Sequence, residues 1–315
     1  MRFNIEKING AYRLKNNGDY IAAGGRNLLL FRTNGQLVMH CKDFHQVQAM
    51  AFLPNERLLV GDAKRYAVIS LKTGTPVWSL PRFKRDYSYS HFAISPTYEY
   101  AYGIDMRRDT PFVIKINLAN GNTSAYRVKK LLRATRDFMC GSDGNLYFLQ
   151  CQYNECNEKV IGETCVLCAD LRENRTLPYY SVIHKTVFDG ARLGHSFLGS
   201  TETILTNDLH IYSFLDKTSV FVAERSLELQ LPKETPALCF LDDSGCFLQM
   251  TCLDEMRTIF VDLQKRKAVA QYGMTERLPG CLIANEFWLC ENNGVVCKPF
   301  PIWETLPQRK LSPMF

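Results

Sequence analysis

Four cysteines in the middle of the chain are of the residue type that builds a metal centre. Cys151, Cys156, Cys165 and Cys168 form the pattern C-x4-C-x8-C-x2-C. Four thiolates are a common ligand set for a structural zinc ion, but only Cys165-Val166-Leu167-Cys168 has the short gap of a zinc knuckle. If that segment is a strand, its two thiols, three positions apart, face opposite sides. The chain holds twelve cysteines in all. Cys41, Cys140, Cys239, Cys252, Cys281 and Cys290 sit inside apolar runs, as small buried hydrophobes do. The expectation is core and surface thiols, with no resident metal and no cofactor.

Other chemistry is thinner still. The run His40-Cys41-Lys42-Asp43-Phe44-His45 concentrates ligand types without a metal-binding spacing, which suits a surface or capping role. His91, His184, His195 and His210 are scattered. Gly194-His195-Ser196-Phe197-Leu198 lacks the closing glycine of a nucleophile elbow. Gly24-Gly25-Arg26 lacks the strand–loop–helix setting in which glycines cradle phosphate. No catalytic constellation is visible, so a non-catalytic role is expected, with an enzyme built at a central channel as the least favoured class.

A chain of 315 residues with a net charge of +6 permits an acidic partner without demanding one. No apolar run reaches the ~18 residues of a membrane span. The start, MRFNIEKING, has no apolar core of a secretory signal, so a cytoplasmic protein with reduced thiols and no membrane association is expected.

The elements that must position any site are β-strands. Residues 47–80 read as four short runs, 47–52, 57–61, 66–71 and 76–80, separated by Pro-Asn, Asp-Ala-Lys and Thr-Gly turns. The last turn recurs as Phe31-Arg32-Thr33-Asn34-Gly35, Leu71-Lys72-Thr73-Gly74, Leu118-Ala119-Asn120-Gly121, Leu171-Arg172-Glu173-Asn174, Leu215-Asp216-Lys217 and Leu263-Gln264-Lys265-Arg266. Their spacing is about 40–50 residues, the period of a propeller blade. The first three supply a glycine for the positive φ of a tight hairpin. Residues 280–284, 286–291 and 294–300 give a final unit of only three strands, and residues 2–8 alternate as a spare one. The expected fold is all-β: a single domain over 1–315, a seven-bladed β-propeller of four-stranded antiparallel blades whose last blade is closed by the N-terminal strand. The stretch 152–164 reads as a loop insertion between the second and third strands of blade four.

Ala51-Phe52-Leu53-Pro54, followed by Leu58-Leu59-Val60-Gly61 and Val68-Ile69-Ser70-Leu71, resembles a WD-repeat unit. Echoes stand at Phe92-Ala93-Ile94-Ser95-Pro96 and at Cys239-Phe240-Leu241-Asp242-Asp243-Ser244-Gly245. The run from Ala67 to Trp78, with Trp after a Thr-Gly turn, is similar to a quinoprotein-like repeat. The WD-repeat resemblance implies a scaffold that docks other proteins. A quinoprotein enzyme would imply a calcium-and-quinone site, and no acidic cluster suited to calcium is present.

Loop charge gives the remaining signal. In a propeller, the turns between second and third strands share a face with the loops between blades. On blades one to three those turns carry Arg26, then Lys64-Arg65, then Arg107-Arg108, and the inter-blade loops add Arg82, Lys84, Arg85, Lys129, Lys130, Arg133 and Arg136. Beyond blade three the same loops carry Glu155, Glu158, Asp208, Asp254-Glu255 and Glu291. The face is therefore expected to be polarised and to dock an acidic segment of a partner protein, with Tyr87 and Tyr89 as aromatic anchors. The protein would be monomeric within such a complex. Nucleic-acid binding by the basic sector is the alternative, weakened by the modest net charge and the acidic sector opposite. Arg26, Arg65 and Arg108 are all expected to be solvent-exposed, so that reversing their charge leaves stability nearly unchanged.

Overall fold

The computed structural model describes residues 2–4, 13–81, 92–107, 110–131, 135–156 and 159–171, and from there to residue 299 the backbone of the strands; side chains are described at 15, 17–81, 92–106, 110–131, 138–150 and 167–171. Among these residues every regular element is a strand. A first strand, β1 (Arg2–Asn4), precedes a four-stranded antiparallel sheet of β2 (Arg13–Asn16), β3 (Tyr20–Gly24), β4 (Leu28–Arg32) and β5 (Leu37–Cys41). The second sheet is β6 (Ala49–Leu53), β7 (Arg57–Gly61), β8 (Arg65–Ser70) and β9 (Pro76–Pro81). The third is β10 (Ala93–Ile94), β11 (Tyr100–Arg107), β12 (Thr110–Asn117) and β13 (Thr123–Tyr126). The fourth has five strands: β14 (Thr135–Cys140), β15 (Leu146–Cys156), β16 (Lys159–Asp170), β17 (Arg175–Thr176) and β18 (Tyr180–Phe188).

Two further meanders follow, Ser196–Phe197 to Thr218–Phe221 and Leu238–Leu241 to Lys267–Gly273. A last group, Gly280–Ile283, Glu286–Glu291 and Gly294–Pro299, pairs with β1, Phe3 standing opposite Val295. First strands of neighbouring sheets lie side by side: β2 with β6, β10 with β14, and β2 with Gly280–Ile283.

The sheets stack face to face, and this explains why β7 and β8 read as near-continuous apolar runs. Ala67 and Ile69 of β8 pack with Leu28 and Leu30 of sheet one, while Tyr66 and Val68, on the other face, pack with Ala101, Ile114 and Ile116 of sheet three. Sheets three and four share a third cluster around Ile104, Val113, Phe138 and Phe148. Each fully buried Leu, Ile or Phe contributes roughly 1.5–3 kcal/mol through its apolar area. Fourth strands β5 and β9 are mostly exposed, which places them at the outer edge.

The first three hairpin turns are as expected, and the turns expected at 172–174, 215–217 and 263–266 lie outside the described residues. Gly35, Gly74 and Gly121 have φ of 85°, 70° and 80°. In each sheet the turn is tied to the loop between the first two strands: Thr33 N–H donates to the Asp19 carbonyl, Leu71 to Glu56, and Leu118 to Glu99. Trp78 of β9 then locks sheet two to sheet three, its indole N–H donating to the Leu118 carbonyl at 3.2 Å. A Cβ on Gly121 would lie 2.8 Å from Trp78 Cε3 and 2.9 Å from Leu80 Cδ1. Gly121→Ala is therefore expected to cost about 2 kcal/mol, from left-handed backbone strain plus this overlap. Urea denaturation checks it, and Gly18→Ala, where φ is 91° and nothing lies within 4 Å, isolates the strain alone.

One expectation is corrected. Residues 152–156 and 159–164 are not loop but strand, because β15 and β16 pair in unbroken register from Leu146↔Ala169 to Cys156↔Lys159. β18 adds a third strand against β16, pairing Val160↔Phe188 through Val166↔Tyr180. β14 reaches only to the level of Gln150, so the outer half is a three-stranded ribbon extending past the first strand. The physical reason is a period-two alternation of Cys151 and Tyr153 with Gln152 and Asn154, the sequence pattern of a strand with one polar face.

Candidate basic docking face

Two of the predicted basic turns are fastened to one another by the loop between their sheets. At the end of β3, Gly25 N–H donates to the Asn27 carbonyl, leaving Arg26 exposed at the tip. Residues 43–48 then cross to sheet two. Val47 N–H donates to the Gly25 carbonyl at 2.9 Å and Gln46 N–H to that of Arg26 at 3.3 Å, while Ala63 N–H donates to the His45 carbonyl at 3.0 Å. Phe44 and Val47 are buried beneath, anchoring the loop in the core. Arg26, Lys42 and Lys64 are thus exposed on one continuous, hydrogen-bonded surface. Lys42 had no motif to signal it; its position next to β5 is what places it here.

The turn at Asp62 is organised by a carboxylate that is fully buried. Its Oδ1 accepts the backbone N–H groups of Lys64 and Arg65, both at 2.7 Å, and its Oδ2 accepts that of His45 at 3.1 Å. Arg65 belongs to the same device. Its Nε lies 3.6 Å from Asp62 Oδ2, its Nη2 donates to the Asp43 carbonyl at 2.9 Å, and its guanidinium sits 4.6 Å over the Phe44 ring. The side chain is only 27% exposed. Arg65 is therefore not the solvent-facing charge that its turn position suggests; the buried Asp62 draws it inward, while Lys64 beside it stays exposed.

Sheet three continues the surface. Arg107 ends β11 at the third turn. Just beyond it, Thr110 and Pro111 border a cavity of about 290 Å³ that is also lined, among the described residues, by Arg127, Val128, Lys129, Lys130 and Leu131 of the loop leading to sheet four. Arg127, Lys129 and Lys130 are exposed. The fully buried Gln150 donates from Nε2 to the Lys130 carbonyl at 3.4 Å, joining this loop to the base of the ribbon. Arg127, at the end of β13, is a member of the basic group that turn counting missed. Arg82, Lys84, Arg85, Tyr87, Tyr89 and Arg108 lie outside the described residues, as do Glu158, Asp208, Asp254 and Glu255.

The four cysteines do not converge. Register places positions 151 and 168 on one face of the β15–β16 hairpin and 156 and 165 on the other. Cys151 stands opposite Thr164, four residues from Cys168, which at ~3.3 Å per residue separates the pair by more than a single zinc ion spans. Cys168 is buried, and burial, with Asp143 and Asp170 nearby and against an opposing hydrogen bond from Tyr147, pushes its thiol from 9.0 up to about 11. Burial and a 2.7 Å hydrogen bond to Asp143 likewise raise the Tyr147 phenol. Cys168 is therefore protonated near neutral pH and a poor nucleophile. Native protein treated with iodoacetamide at pH 8 should leave Cys168 unmodified, whereas urea-unfolded protein should be labelled there.

No protein-family model matches the sequence, and no curated protein is significantly similar to it. Solved structures do match. Kuenenia stuttgartiensis hydrazine synthase superposes with a TM-score of 0.66 at 14% identity, over 93% of this chain and 97% of that one. The Cps50 (Swd1) beta-propeller domain of Myceliophteria thermophila gives a TM-score of 0.61 at 10% identity, over 95% and 99%. The fold is a β-propeller. At such low identity the likeness carries architecture alone, and the propeller explains the shared face: turns after each second strand and loops between blades emerge together.

Proposed function

We propose that the chain is a non-catalytic, cytoplasmic scaffold whose seven sheets form a closed ring of blades, with β1 completing the last. On this proposal the basic face of blades one to three docks an acidic segment of a partner protein, the propeller entering the complex as a monomer. The observation that carries it is the joint placement of Arg26, Lys42 and Lys64 on a surface held by the 43–48 loop, with Arg127, Lys129 and Lys130 one blade further on. Cations fixed on a hydrogen-bonded frame lose little entropy on docking and steer an acidic ligand before contact. The pairing of β1 with Gly294–Pro299, and of β2 beside Gly280–Ile283, supports closure.

The triple reversal Arg26→Glu, Lys42→Glu and Lys64→Glu tests the docking face. These exposed changes should alter stability by less than ~0.5 kcal/mol each. Association with a sixteen-residue Asp/Glu-rich peptide, followed by stopped-flow fluorescence, should slow by about tenfold or more at low salt. The difference should fade towards 1 M salt, where screening acts over about 3 Å. An unchanged rate removes this face from docking. Tighter, steeply salt-dependent binding of random duplex DNA than of the peptide would favour nucleic acid instead.

A further inference from the structure

We propose that the cavity formed by the start of β12 and the loop leading to the fourth sheet binds a phosphate monoester, namely a phosphorylated Ser or Thr of the partner's acidic segment. This rests on the docking role proposed for the basic face and adds a specific reader to it. Among the described lining residues Arg127, Lys129 and Lys130 are cationic. Val128 and Leu131 are buried beside them. Buried apolar side chains next to the cations lower the local dielectric, so charged hydrogen bonds made there are stronger than in bulk water.

Lys130 has an unusual backbone for its residue type. It lies in the left-handed region, φ 66°, at the third position of the turn that Leu131 N–H closes onto the Val128 carbonyl. Gly or Asn is the ordinary occupant there, and a lysine stores strain. The strained residue is also fixed, because buried Gln150 grips its carbonyl. A strained, anchored lysine that is exposed and borders a cavity fits retention for ligand binding. Carboxylates offer one negative charge and two oxygens. A phosphate monoester offers about −1.5 to −2 and three acceptor oxygens, a better match for one guanidinium and two ammonium groups. The cavity begins at Thr110, just past the Arg107 turn, so a segment lying along the basic face reaches it without leaving the surface.

The test uses the full chain and three acidic sixteen-residue peptides identical except for a central Ser, phosphoserine or Glu. Fluorescence anisotropy at constant ionic strength should give the phosphoserine peptide about tenfold or more advantage over Ser, and a clear advantage over Glu. Inorganic phosphate at millimolar concentration should erode it. Lys130→Gly removes the ammonium while relaxing the backbone, so it should keep or raise the melting temperature yet cut the phosphoserine advantage; Arg127→Gln should cut it too. Equal binding of the Ser and phosphoserine peptides overturns the phosphate site and leaves acidic docking standing. Failure of all three peptides to bind overturns both. An advantage undiminished in both variants places the phosphate elsewhere and overturns this cavity's assignment.

Discussion

Asp62→Ala should lower the stability of the protein by about 3 kcal/mol, the low end of the range for breaking a buried charged pair, since only the carboxylate is fully buried. The substitution strips the acceptor from the backbone N–H groups of His45, Lys64 and Arg65, and leaves the half-buried Arg65 guanidinium without its counter-charge. Unmade bonds to buried donors cost more than the bonds themselves contribute, so the sum is large for one residue. Urea denaturation should show the midpoint falling with little change in slope. Arg65→Glu should also destabilise, since it sets a second carboxylate beside Asp62; this replaces the expectation that the Arg26, Arg65 and Arg108 reversal is silent. A loss of less than 1 kcal/mol for Asp62→Ala would show that the 43–48 loop is held by its apolar anchors alone.

Deleting residues 1–8 should be the other large loss. The strand β1 pairs Arg2, Phe3 and Asn4 with Val296, Val295 and Gly294. Without it the last sheet keeps three strands and presents an unpaired edge, at a cost of about 3 kcal/mol or more from lost pairing and burial. Because open edges invite pairing between chains, the truncated protein should also self-associate. Calorimetry and light scattering read the two effects separately. Melting like the intact chain, with the protein still monomeric, contradicts closure by the N-terminal strand.

Much of the fold was legible because local chemistry and the repeat agree. Expected strand limits at 57–61, 66–71 and 76–80 match β7, β8 and β9 to within a residue, and the turn glycines occupy the positive-φ positions assigned to them. The ribbon of sheet four was missed because Gln152, Asn154 and Glu155 suggest a loop by polarity, although Gln152 and Asn154 alternate with Cys151 and Tyr153 as in a strand. Arg65 was misplaced for a different reason. Its partners Asp43 and Phe44 are twenty-odd residues away, and nothing in the Asp62–Arg65 spacing says that the carboxylate is buried. Exposure at a turn is a tertiary property. Lys42, Arg127 and the cavity share that cause: they become one surface only when blades stand side by side.

Docking on the basic face is tested most directly by hydrogen–deuterium exchange of the intact chain with and without the bound acidic peptide. Protection should concentrate in residues 25–27, 43–48, 62–65, 107–111 and 127–131, the turns and loops of one face. The opposite-face turns at 32–36, 71–75 and 118–122, and the outer strands β5 and β9, should exchange as in the free protein. Protection confined to those turns or outer strands, with the basic loops unchanged, would contradict it.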